Sequence, residues 1–124
     1  MSEKKIGYDD AYSLKKPEDS IKLYKKWAKT YDKDFALNSN YLSPKKICSF
    51  FNRFARNSDT PILDVGAGTG LVGELLYRTG NKKIIGIDIS PEMLKKAKLK
   101  KCYSSLIQAD VTKKIPLRSN SIGA

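Results

Sequence analysis

Apolar residues along the chain change their period near residue 60, from helical spacing to alternating strand-like and helix-like runs. Upstream, Ile21, Tyr24, Ala28 and Tyr31 recur every three to four residues with Trp27 beside them, which predicts an amphipathic helix. That helix starts near Pro17-Glu18-Asp19-Ser20, where proline suits a first turn and the acids suit the positive end of the helix dipole. After a polar break at Asn38-Ser39-Asn40, Ser43-Pro44 predicts a cap followed by a first-turn proline. Ile47, Phe50, Phe51 and Phe54 are the expected apolar stripe of this second helix. Residues 1–16 have no clean period and read as an N-terminal arm, and residues 17–58 as a helical leader.

From Thr60 the pattern alternates. Pro61-Ile62-Leu63-Asp64-Val65 predicts a short strand ending at Gly66. Leu71, Val72, Leu75 and Leu76 define a helix that stops at Gly80, a residue suited to a left-handed cap. Ile84, Ile85, Ile87 and Ile89 form a second strand, interrupted by Gly86. Ser90-Pro91-Glu92 opens another helix, with Met93, Leu94 and Ala97 on its inner face. Ser105-Leu106-Ile107-Gln108-Ala109 is a third strand, and residues 110–124 read as loop. This order predicts an α/β fold with a parallel sheet, right-handed crossovers and both sheet faces covered.

Composition narrows the chemistry. The 124 residues suit one domain or part of one, and 40% apolar with 30% charged is an ordinary mix for a folded domain. No apolar run of about 18 residues is present, so no membrane partner is expected, and Met1-Ser2-Glu3-Lys4-Lys5 lacks the apolar core of a signal peptide. Two cysteines, Cys48 and Cys102, make no disulfide framework, so reduced thiols in the cytoplasm are expected. The chain has no histidine, which removes Ser-His-Asp triads, Cys-His nucleophiles and His-ligated zinc; no metal is expected. A net charge of +11 suits a polyanionic partner or simply a lysine-rich surface. The arginines, Arg53, Arg56, Arg78 and Arg118, are not clustered with aromatics, so nucleic acid is allowed but not favoured.

The informative stretch is Leu63-Asp64-Val65-Gly66-Ala67-Gly68-Thr69-Gly70, between a predicted strand and a predicted helix. Alternate glycines let the backbone turn sharply and approach a ligand with no Cβ in the way, and the following helix offers unpaired N–H groups. A tight turn with no ligand is the plainer reading. Asp88 stands at the tip of the second strand, placed to accept from two ribose hydroxyls, or to serve as a solvated strand-end acid or helix cap. Gln108-Ala109-Asp110 repeats the arrangement at the third strand, where the carboxylate suits an exocyclic amine or merely a turn. Two registers compete over the glycines. Gly68-Thr69-Gly70-Leu71-Val72-Gly73 formally fits the nicotinamide or flavin pattern but leaves Asp64 unexplained. The register using Gly66, Gly68 and Gly70 gives Asp64 a place at the strand tip, facing a ligand ammonium.

Asp64-Val65-Gly66-Ala67-Gly68-Thr69-Gly70, Asp88, Ser90-Pro91-Glu92-Met93-Leu94 and Gln108-Ala109-Asp110 resemble, in order, the cofactor motifs of class I S-adenosylmethionine-dependent methyltransferases. Upstream, the stretch from Tyr24 to Asp34 resembles the leader helix of the Williams–Beuren-region-like small-molecule type. The resemblance implies a Rossmann-like sheet, here incomplete at about three strands, with residues 60–124 as the cofactor-binding half of a methyltransferase domain. It implies S-adenosyl-L-methionine as cofactor and a small-molecule acceptor. Gly66, Ala67, Gly68 and Gly70 would pass beneath its methionine part, with Asp64 near the amino group. Asp88 would hold the ribose, Ile89 would pack on the adenine, and Asp110 would meet the adenine amine with the Val111 backbone close by. Tyr31, together with Tyr24, would cover the methionine end, with plain helix packing against the sheet as the other reading of both. No convincing catalytic base is present; Asp110 and Tyr31 are candidates only by elimination.

The resemblance has limits. Gly123 stands where the family's pattern has an aspartate at the start of a fourth strand, and the later strands, which build much of an acceptor pocket, are absent from this sequence. With the strand order that the resemblance implies, 3-2-1, the first strand is expected to be an exposed apolar edge that invites pairing with another chain. A truncated product, a gene fragment and half of a split enzyme are all consistent with this. The alternatives in function are a non-catalytic cofactor-binding fragment that needs a partner chain, and an NAD(P)-dependent oxidoreductase.

Overall fold

The structure is a computed structural model that describes residues 14–33 and 42–124. Most of the expected N-terminal arm and the polar break at Asn38-Ser39-Asn40 lie outside the described residues. Helix α1 runs Pro17–Trp27, and the Asp19 carboxylate accepts the Lys16 N–H at 3.1 Å to close its first turn. A turn at residues 28–30 and a short helical turn at 31–33 follow. Helix α2 runs Ser43–Phe54; its N-cap is Leu42, so Ser43 is the first helical residue and not the cap that Ser43-Pro44 suggests.

Strand β1 (Ile62–Val65), helix α3 (Leu71–Arg78), strand β2 (Ile84–Asp88), helix α4 (Pro91–Leu99) and strand β3 (Ser105–Gln108) complete the order. The sheet is parallel, in the order β1-β2-β3, with Asp64 opposite Gly86 and Asp88 opposite Gln108. The two helices between the strands start at residues suited to it. Gly70 takes the left-handed conformation (φ 89°) before α3, and the Ser90 hydroxyl accepts the Met93 N–H at 3.2 Å to cap α4. Among the described residues no helix is long and apolar enough to cross a membrane.

The core has two parts. Trp27 and Ala28 of the leader pack on Met93 of α4, with Leu23, Tyr24 and Tyr31 around them. Cys48 of α2 meets Ile62, Leu76 and Ile84, with Phe51 and Val72 alongside. The α2 stripe therefore differs from its periodicity. Cys48 and Phe51 turn inward, and Asn52 donates to the Thr79 hydroxyl at 2.8 Å, whereas Ile47, Phe50 and Phe54 are exposed. Hydrogen bonds to the end of α3 fix that rotation; hydrophobicity alone would have chosen the phenylalanine face.

The outer edge of β1 is not left entirely bare. Leu63 donates its N–H to the Ala124 carbonyl at 2.8 Å, and Gly123 donates to the Pro61 carbonyl at 2.9 Å. Gly123 approaches so closely that a Cβ there would lie 2.2 Å from the Thr60 nitrogen, so a side chain at this position would have to push the two backbones apart.

Candidate functional site

Parallel strands direct their carboxyl ends to one side, so the tips of β1, β2 and β3 share a rim. After Val65 the backbone turns at Gly66 (φ 74°) and Gly68 (φ 57°), conformations that a side chain would strain. The turn is stitched to β2: Gly66 and Ala67 both donate to the Ile87 carbonyl, at 2.8 and 2.9 Å. Asp88 completes the junction. Its Oδ2 accepts the Gly68 N–H and its Oδ1 accepts the Ser90 N–H, each at 2.8 Å. The carboxylate is thus held rigidly at the cleft, with lone pairs left for a ligand.

A cleft of about 490 Å³ opens over this rim. Gly66, Gly68, Asp88, Ile89, Asp110 and Val111 line it from the sheet side, and Tyr24 and Tyr31 line it from the leader. Seven of the ten expected site residues therefore meet in one space: Tyr31, Gly66, Gly68, Asp88, Ile89, Asp110 and Val111. Nothing lies within 4 Å of where a Cβ would stand on Gly66, so the turn leaves open room on its cleft side. Asp110 accepts from the Thr112 hydroxyl at 2.6 Å and the Thr112 N–H at 2.9 Å, and those bonds hold its carboxyl below the usual carboxylate range.

Asp64, Ala67 and Gly70 stand outside the lining. Ala67 is buried beneath the turn, and Gly70 caps α3 against Ala97. Asp64 is not among the residues that line the cleft, although its place at the strand tip suggests it; its Oδ2 accepts the Tyr103 hydroxyl at 2.6 Å. Burial raises the Asp64 carboxyl above its ordinary value, the Tyr103 bond lowers it in part, and the Asp88 charge adds to the rise. Burial, then the Asp64 charge, pushes the Tyr103 phenol far upward, so it remains a donor.

Tyr103 is a residue that sequence reasoning passed over. Its ring fills a slot bordered by glycines: a Cβ would come within 2.2 Å of it at Gly73, 2.9 Å at Gly86 and 3.0 Å at Gly70. The signal was there, because a glycine inside a helix and another inside a strand both need a packing reason. Asp32, Thr69 and Lys100, which join the leader to the glycine turn, were also missed.

Known proteins resemble this chain in sequence and in fold. The chain is 40% identical over 63 residues to the 18S rRNA (guanine(1575)-N(7))-methyltransferase of Saccharomyces cerevisiae, which is 51% of this chain and 23% of that protein. It is 38% identical over 63 residues to the 18S rRNA (guanine-N(7))-methyltransferase of Bos taurus, 51% of this chain and 22% of that one. The solved DhpI–SAH complex superposes with a TM-score of 0.61 at 22% identity, covering 81% of this chain and 48% of that chain. The chain thus spans less than a quarter of these curated relatives and about half of the solved one. The family model for the methyltransferase domain matches residues 63–124, from β1 through the last residue, and the chain belongs to that family.

Proposed function

We propose that the cleft binds S-adenosyl-L-methionine and that the chain is the cofactor-binding part of a class I methyltransferase. The observation that carries this reading is the convergence of Gly66 and Gly68, Asp88 and Asp110, from three successive strand tips, on one cleft. The residues fit the cofactor. The open side of Gly66 leaves a path for an extended amino-acid tail, and the pinned Asp88 carboxylate can accept from ribose hydroxyls. Ile89 and Val111 offer apolar walls for a base, with Asp110 beside them. Bound there, the cofactor supplies a methyl group on a sulfonium, which carries its own leaving group. The work of the protein is then positioning: the glycine turn and Asp88 fix the ligand, and Tyr24 and Tyr31 cover it from the leader.

The acceptor in this reading is a small molecule, since the leader's aromatics roof the cleft and leave a space of modest volume. A second reading, an RNA acceptor, is favoured by the net charge of +11, by Lys15 and Lys16 at the cleft's rim and by relatives that methylate 18S rRNA. RNA binding that falls steeply with added salt would support it. Cys48 and Cys102 are free thiols, which suits the reducing cytoplasm.

Calorimetry with S-adenosylhomocysteine, the demethylated product, tests the proposal. The folded chain should bind it, and Asp88→Ala should weaken binding at least about tenfold, the size of a lost charge-assisted hydrogen bond. A folded sample that binds none would overturn it.

A further inference from the structure

An ion pair ties the leader to the glycine turn. Asp32, in the short helical turn that follows α1 in the leader, offers Oδ2 to the Lys100 ammonium at 2.5 Å, and its Oδ1 accepts the Thr69 hydroxyl. The same ammonium donates to the Thr69 carbonyl oxygen, also at 2.5 Å. Three stretches distant in sequence, the leader, the turn and the end of α4, therefore meet at one charged cluster. Thr69 is 1% exposed and the Lys100 side chain 14%, while the Asp32 side chain is 43% exposed. Exposed ion pairs contribute little because water and salt screen them. Here the ammonium is mostly withdrawn from water and is divided between a carboxylate and a backbone carbonyl, which fixes its geometry.

The cluster sits immediately beside the cleft without lining it. Asp32 follows Tyr31 and Thr69 follows Gly68, and both of those neighbours line the cleft. We propose that Asp32 and Lys100 are positioning residues: a latch that holds the leader across the glycine turn and so keeps Tyr31 over the amino-acid end of the bound cofactor. The proposal rests on the reading of the cleft as an S-adenosylmethionine site. Affinity for the whole cofactor then depends on two side chains that touch no ligand. Adenosine, which lacks the amino-acid end, should be indifferent to them.

The test compares S-adenosylhomocysteine and adenosine by calorimetry on the full chain, with intrinsic fluorescence as a second readout. Asp32→Asn and Lys100→Met should each weaken S-adenosylhomocysteine about tenfold and leave adenosine unchanged. The double variant should be no weaker than the worse single one, because either change opens the same latch. Lys100→Arg, which keeps the charge, should retain most of the affinity. Trp27, the chain's one tryptophan, is 2% exposed on the leader and reports docking with no ligand present. Acrylamide should quench it more readily in Asp32→Asn and Lys100→Met than in the wild type. Equal weakening of both ligands, unchanged affinity for S-adenosylhomocysteine, or unchanged quenching would overturn the latch. If the wild type bound no S-adenosylhomocysteine, the reading of the cleft would fail, and the quenching comparison would still decide whether the ion pair holds the leader. Should Lys100→Met fail to fold, the nearly isosteric Asp32→Asn carries the same comparison.

Discussion

Burial raises the proton affinity of Asp64, and the Tyr103 hydroxyl moderates that rise. A carboxyl whose folded pKa lies above its unfolded value holds more protons in the folded state between the two values. Stability therefore falls as pH rises through that window and stays lower above it. Asp64→Asn keeps an acceptor for Tyr103 and removes the titration. Relative to Asp64→Asn, the wild type should lose stability as pH rises from about 4 upward, read as urea midpoints at a series of pH values. Parallel pH profiles for the two proteins would contradict this. The Tyr103 slot gives a second expectation. Gly73→Ala places a methyl 2.2 Å from the ring and should destabilise the fold, by about 1–3 kcal/mol for an overpacked core. Combined with Tyr103→Leu, the loss should be smaller than the sum of the two single losses. The placing of Asp88 and Asp110 on one rim was legible because Asp88 ends β2 and Asp110 follows β3 by two residues. The bond that Asp64 accepts from Tyr103 was not, because its partner is 39 residues downstream and gives no local pattern.

At the scale of elements, start signals were the most readable feature. Ser90-Pro91 marks the start of α4, and its cap is internal: Ser90 is 0% exposed. Ser90→Ala should therefore cost about 1 kcal/mol of unfolding free energy, measurable by denaturant titration; an unchanged midpoint would show the cap to be idle. The β-branched run of β2 was equally plain, since Ile84 and Ile87 form the buried centre of the sheet. Rotation of α2 was harder to read. Its phenylalanines gave the stronger helical stripe, yet Phe50 and Phe54 stack on each other at 6.3 Å in solvent while Cys48 and Asn52 face α3. A stripe in one helix fixes its period, whereas the neighbour it meets decides which way it turns. The Asp32–Lys100 pair was beyond reach for a similar reason: it joins residues 68 positions apart, and charged residues in a lysine-rich chain carry no signal of their partners.

For the molecule as a whole, ligand binding should show as added stability. A ligand that binds only the folded chain contributes about 2.7 kcal/mol at a hundred times its dissociation constant. S-adenosylhomocysteine should thus raise the melting temperature of the chain, and NAD at the same concentration should not. The reverse result would favour the nicotinamide register of the glycines. The parallel sheet, and hence the shared rim, followed from the alternation of elements in the sequence, whereas the order of its strands followed from the resemblance to the methyltransferases. The covering of β1 by Gly123 and Ala124 did not, because it depends on main-chain hydrogen bonds over which side-chain patterns have little say.

One aromatic ring occupies space left by glycines in the turn, in α3 and in β2 at once. Those positions and residue 103 are therefore not free to vary independently. A homologue with a bulkier residue at the place of Gly73 or Gly86 is expected to carry a smaller one at the place of Tyr103. Such paired changes across an alignment would trace the outline of the slot.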